Sequence, residues 1–291
     1  MENQYAVGLA LIAALLFGTG MQFTRLGLRS VDSQRGTLLT IASSTLAYWL
    51  AAPWLLEWSY WSSSVVWLFL IVGVFRPFLS SNLSLAGTAM LGPTISSTLS
   101  STAPFFSLTF GVLLLDEELS LRTVLGTVAI VAGVGLLARQ RGKQQSGAAW
   151  PLWALALPIG AAVIRVAAHL AAKVGMEVIP SAYFVGVVSC SASLLMALAN
   201  NYRRGTSLRG LTHTTDSWWF VITGVINAAA VFTLNLSLQR GDLSVVGPIV
   251  SCEPIFVMLI GALFFHQRNL RPSVIVSVLV VVMGVVLISI R

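Results

Sequence analysis

The sequence predicts an all-α integral membrane protein: ten transmembrane helices arranged as a 5+5 inverted repeat. Three observations carry that prediction. Only 9% of the 291 residues are charged and 56% are apolar, whereas a soluble globular chain carries about 25% charged residues. Ten apolar segments of spanning length, about 20 residues each, can be cut from the chain. Short motifs also recur in order at an offset of 148–153 residues. The composition alone excludes a soluble enzyme, a disordered chain and a disulfide scaffold, because so few charges cannot cover a folded surface in water.

The ten segments run over 6–28, 36–56, 64–85, 93–115, 121–138, 150–173, 181–199, 217–238, 244–265 and 272–290. The N-terminal Met1-Glu2-Asn3-Gln4-Tyr5 lacks a basic stretch, so the first segment reads as a retained span rather than a cleaved signal peptide. Connections are short, with the longest polar pieces at 139–148 and 200–216. Trp54, Trp58, Trp61, Trp150, Trp153, Trp218 and Trp219 fall near span ends, as an interfacial aromatic belt requires. Cys190 and Cys252 lie inside apolar stretches and do not suggest a disulfide. The net charge of +7 reads as loop charge meeting lipid head groups, not as a nucleic-acid surface.

Repetition divides the chain into 1–140 and 141–291. Asn82-Leu83-Ser84-Leu85 recurs as Asn235-Leu236-Ser237-Leu238, and Gly73-Val74 as Gly224-Val225. Arg25-Leu26-Gly27-Leu28 resembles Lys173-Val174-Gly175-Met176. Ser101, Pro104, Gly111 and Gly133 match Ser251, Pro254, Gly261 and Gly284. Five helices per copy is an odd number, so the second copy enters the membrane from the opposite side. Inverted repeats of this kind are a recurring plan of secondary transporters, with the substrate site near the midplane between the halves.

Ten spans in a 5+5 repeat resemble the drug/metabolite transporter superfamily, EamA type, over essentially the whole chain. The most specific pieces are Ser100-Ser101-Thr102-Ala103-Pro104, the acidic corner Glu117-Glu118-Leu119 with Gly126 and Gly133 after it, and Ser251-Cys252-Glu253-Pro254. The second corner, His266-Gln267-Arg268-Asn269-Leu270, lacks the acid. The resemblance implies a central cavity bounded by spans 1, 3, 4, 6, 8 and 9. It implies a cargo class ranging over amino acids, nucleotide sugars, sugar phosphates, choline and drugs.

No catalytic signature, P-loop or metal-ligand spacing is present, and no cofactor is implied. The informative residues are ionisable groups deep in spans, each costing roughly 2.5–3.5 kcal/mol at the bilayer centre unless it faces protein or water. Arg76, Arg165 and Glu253 are the three. Arg76 reads as a fork for a carboxylate or phosphate, or as a structural arginine holding carbonyls freed around Pro77. Arg165 and Glu253 read as substrate groups or as a mutual buried salt bridge. His169, one turn beyond Arg165, reads as a satisfied core histidine or a proton carrier. Gln22, Asn82, Asn227 and Asn235 are candidate substrate contacts, with interhelical hydrogen bonding as the commoner role. Arg25 and Lys173 end their spans and can snorkel. Asp116, Glu117 and Glu118 read as a solvated corner, with Ser120 as N-cap of the next span. Pro104 and Pro254 each remove a backbone hydrogen bond at matched positions, as gating or binding kinks.

The expected function is a secondary transporter, an exporter of small metabolites such as amino acids, working by alternating access. Arg76 and Arg165 would hold carboxylate, and Glu253 an ammonium group or a proton. The alternatives are a multidrug or organic-cation transporter of the same fold, a membrane scaffold, and an intramembrane enzyme. Expected partners are a small-molecule substrate, membrane lipid and protons as coupling ion, with no nucleic acid. The expected location is a cell or inner membrane, multi-pass. Loops 1–2, 5–6, 7–8 and 9–10 hold 11 Lys/Arg and the other side four, which places the termini outside the cytoplasm by the positive-inside rule. The family resemblance implies cytoplasmic termini, and the charge count is the reading preferred here.

Overall fold

The computed structural model describes residues 2–141, 151–203, 216–264 and 272–290. Lys143, Trp150, Arg204, Arg209, His213, Arg271 and Arg291, and the corner at 266–270, lie outside the described residues. Among the described residues all regular structure is helical: α1 (Glu2–Gly27), α2 (Ser33–Leu55), α3 (Val66–Gly73), α4 (Ser80–Ser100), α5 (Ala103–Leu115), α6 (Leu121–Arg141), α7 (Ala156–Val178), α8 (Ala182–Arg203), α9 (Ser217–Arg240), α10 (Leu243–Val250), α11 (Glu253–Phe264) and α12 (Pro272–Ser289). Short 3₁₀ turns cover Trp58–Ser62 and Leu152–Leu155, and a wide π turn over Val74–Leu79 joins α3 to α4. By length and composition eight stretches among the described residues can cross a membrane, and two shorter apolar helices, Leu121–Leu136 and Ile275–Ser289, accompany them. The large number of exposed apolar side chains, such as Trp67, Leu113 and Leu279, is what a lipid-facing surface requires.

Local chemistry sets the ends. Asp32 Oδ1 accepts from the Gln34 and Arg35 amides at 3.0 Å each and starts α2. Ser120 accepts from the Arg122 amide at 3.3 Å, as an N-cap of α6 should. Within α4, Gly92 has φ +80° and ψ 161°, a conformation essentially closed to residues with a Cβ. It turns the chain between the stretches ending at Gly92 and beginning at Ile95.

Helix directions follow from the contacts. The α1 and α9 helices run antiparallel: Ser237 Oγ donates to the Ala6 carbonyl (2.7 Å), and Phe23 stacks on Trp219 near the other end. The α6 and α12 helices also run antiparallel. Gly126 and Gly284 bring their backbones together, while Gly133 packs on the Ser277 carbonyl and Val281. In the absence of a hydrophobic drive between helices in lipid, such small residues let the backbones approach. The α2 and α9 helices run parallel, joined by a hydroxyl ladder at four-residue spacing. Thr40, Ser44 and Tyr48 donate to the carbonyls of Phe220, Gly224 and Ala228 at 3.5, 2.7 and 3.0 Å.

Candidate functional site

Proline and serine chemistry shape the centre of the molecule. Arg76 precedes Pro77, and a residue before proline is pushed out of the helical region. Its backbone is extended, at φ −137° and ψ 125°. Pro77 has no N–H for the Gly73 carbonyl one turn back, and Ser193 of α8 takes that role, donating to Gly73 O at 2.6 Å and to Arg76 O at 3.3 Å. This corrects the structural reading of Arg76. The freed carbonyl is served by a serine, and the guanidinium turns to the interior.

Two helix breaks face each other across the same region. The α4 helix ends at Ser100 and α5 begins at Ala103, with Pro104 in the first turn of α5. Likewise α10 ends at Val250 and α11 begins at Glu253, followed by Pro254. The expected kinks are therefore full two-residue interruptions, and proline sits where a missing N–H costs least. Ser101 and Thr102 satisfy the Thr98 and Leu99 carbonyls (2.6 Å each), and Ser251 satisfies Gly247 (2.9 Å).

Between these breaks lies a cavity of about 980 Å³. Arg76, Arg165, His169, Asn227, Glu253 and Pro254 all line it. Pro104 does not, although it is buried in the first turn of α5. One wall is a run of hydroxyls from α4, including Ser80, Ser84, Thr88, Ser97 and Ser100. The rest is largely apolar, with Phe17, Met21, Val231 and Leu234. Arg76 Nη1 donates to His169 Nε2 at 2.7 Å. Arginine only donates, so His169 Nε2 carries a lone pair and the proton sits on Nδ1. That nitrogen is buried with no hydrogen-bond partner, so the imidazole is satisfied on one side only. Arg165 and Glu253 interact through space, but among the described residues they form no ion pair within 4.0 Å, unlike Arg35–Asp32 at 3.3 Å and Lys173–Glu117 at 3.6 Å. The expected direct Arg165–Glu253 bridge is absent there. The cavity thus gathers two guanidiniums and one carboxylate with no direct pairing.

Three expected cavity residues lie elsewhere. Gln22 is 2% exposed and donates to the Val257 carbonyl, tying α1 to α11. Asn235 donates to Ala182 O at 3.3 Å, tying α9 to α8. Asn82 faces outward and donates to Phe78 O in its own turn at 2.8 Å. Each amide is turned toward a backbone carbonyl, which removes it from the substrate surface.

The acidic corner differs most from its expected solvated state. The Glu117 side chain is only 5% exposed. Its two oxygens accept from the amides of Leu243 and Ser244 at 2.6 and 2.8 Å, capping α10. Lys173 lies 3.6 Å from Glu117 and donates to Gly241 O at 2.5 Å, so it is held in place and does not snorkel. This cluster closes one end of the cavity, whose lining instead extends to Leu28, Ile41 and Thr88 at the other. The Glu-Leu corner of the family resemblance was the available signal for Glu117; nothing local marked Ser193.

A family profile described as "EamA-like transporter family" matches residues 4–139 and again 152–290. No curated protein shows a significant match. One solved chain, described as "Crystal structure of protein", superposes with a TM-score of 0.78 at 17% identity, covering 97% of this chain and 95% of that one. At that identity the likeness speaks for the fold.

Proposed function

The chain belongs to the EamA-like transporter family, a multi-pass membrane family within the drug/metabolite transporter superfamily, and on that premise we propose that it is a secondary transporter of small anionic or zwitterionic metabolites, amino acids among them. It works by alternating access of two inverted five-helix halves, 1–140 and 141–291, around the central cavity, with export as its direction. Arg76 holds the substrate carboxylate, Arg165 adds a second cation, and Glu253 receives an ammonium group or a coupling proton. Asn227 offers a hydrogen bond beside them.

The observation that carries this reading is the charge in the cavity: Arg76 and Arg165 against Glu253 alone, none in a direct ion pair. Unpaired charge at this depth is tolerated only where it faces water or ligand. Support for inverted halves comes from the α6–α12 contact. Gly126 matches Ser277, and Gly133 matches Gly284, at an offset of 151. The Gly126–Gly284 and Gly133–Ser277 approaches are therefore one contact read from either half. Liposome flux of a metabolite panel tests the function. Carboxylate-bearing substrates should move in a manner that depends on Arg76. The organic-cation reading is favoured by Glu253 and the apolar walls. It would prevail if only cations or apolar compounds moved and Arg76→Ala left them unaffected.

A further inference from the structure

The contact between Arg76 and His169 constrains both partners. The Arg76 guanidinium spends an N–H on His169 Nε2 at 2.7 Å. That contact exists only while the imidazole is neutral, because an imidazolium donates from both nitrogens. A proton arriving at Nε2 would set N–H against N–H and cation against cation. The remaining nitrogen, Nδ1, belongs to a side chain 7% exposed and has no hydrogen-bond partner, although His169 lines the cavity.

We propose that His169 is a positioning residue that stows the Arg76 guanidinium while neutral and, on taking a proton, releases it to an anion in the cavity. The proposal rests on the reading that Arg76 holds substrate. The groups facing His169 are few. Arg76 comes from the π turn and Arg165 from its own helix, and Glu253 of α11 and the Cys190 thiol of α8 line the same cavity. The sequences of α3, α4, α5 and α10, which also pack near α7, contain no acidic or basic side chain; the one on α9, Arg240, sits at its last residue. With His169 protonated the cavity would hold three cations against Glu253. Such a state is tenable when a substrate anion supplies the missing negative charge. Anion binding and proton binding therefore favour each other, and one anion draws in one proton.

Two measurements on the full-length purified protein test this. The first needs no substrate. Nitrogen-15 NMR of labelled histidine, with His169→Gln assigning the signal, should show the neutral imidazole protonated on Nδ1 in the wild type. In Arg76→Gln that preference should disappear. A wild-type imidazole protonated on Nε2, or a tautomer indifferent to Arg76→Gln, would overturn the proposal. The second uses L-aspartate as probe. Its affinity should weaken up to about tenfold per pH unit above the titration of His169, as linkage of one proton requires, and its binding should take up a proton. His169→Gln retains an acceptor for Arg76 but cannot titrate, so its affinity should lose the pH dependence; persistence of that dependence would refute the coupling. Failure of the wild type to bind L-aspartate at any pH would count against the substrate reading, leaving the tautomer measurement to decide the role of His169.

Discussion

Arg76 is the residue on which the transport reading turns. Its guanidinium is bidentate in geometry and always charged, and lysine reproduces neither the fork nor the contact to His169 in the same form. Arg76→Ala should abolish flux of carboxylate substrates in reconstituted protein while insertion persists, since loss of a desolvated charge partner costs about 2–5 kcal/mol; Arg76→Lys should recover little. Normal flux in Arg76→Ala would remove the residue from the site. Glu253 makes a separable claim. If it receives an ammonium group, Glu253→Gln should weaken α-amino acids by about tenfold or more, a charge-assisted hydrogen bond being worth about 1.5–3 kcal/mol, and leave carboxylates without an amine nearly unchanged. Equal losses in both classes would assign Glu253 to structure or to proton transfer. The ionisable residues were legible as cavity groups because a charge in a span has few places to go. The amides were not. Gln22, Asn82, Asn227 and Asn235 look alike in sequence, and the rotation of each helix decides which one meets a carbonyl and which one meets the cavity.

The interrupted helices show how far proline and glycine alone can be read. Matched prolines predicted kinks at Pro104 and Pro254. The chain instead breaks at Ser101–Thr102 and Ser251–Cys252, because serine, threonine and cysteine side chains there bond the last carbonyls of the preceding helix. A second contrast lies in two glycines with open space where a Cβ would stand. Gly8 is mid-helix and Gly92 has φ +80°. Alanine at position 8 should stabilise, by about 1 kcal/mol from helix propensity. Alanine at position 92 should destabilise by about 1–3 kcal/mol from backbone strain. Thermal unfolding in detergent measures both, and changes of the same sign would refute the account. The Glu117 cap belongs to this scale as well. Glu117→Ala should lower the unfolding temperature, since a lost cap costs about 0.5–2 kcal/mol and Lys173 loses its carboxylate. The corner was misread because three successive acids look solvated, and only the arrival of α10 from the distant half of the chain buries the middle one.

At the scale of the molecule, the two ends of the cavity are unlike. At one end Glu117, Lys173 and Gly241 lock α10 against α7 and the corner before α6. Both outer helices converge there: Ala6 is bonded by Ser237 near Gly241, and Arg122 donates to the Ile290 carbonyl at 2.7 Å. The described ends of α1 and α12 therefore lie together at the closed end. The cavity lining runs the other way, to Leu28, Ile41 and Thr88. This geometry turns the native cysteines into reporters. Cys190 lines the cavity and is partly exposed, whereas Cys252 is 2% exposed. In a Cys252→Ser background, a membrane-impermeant thiol reagent should modify Cys190 from the side opposite the termini and protect it from later labelling. From the side of the termini it should react slowly, and Glu117→Gln should speed that reaction by loosening the α10 cap. Tags at each end should be reached from one side together, and by the loop charge that side is the non-cytoplasmic one. Tags on opposite sides would refute the ten-crossing arrangement. Faster Cys190 labelling from the terminal side in the unaltered corner would refute the closure assigned to Glu117.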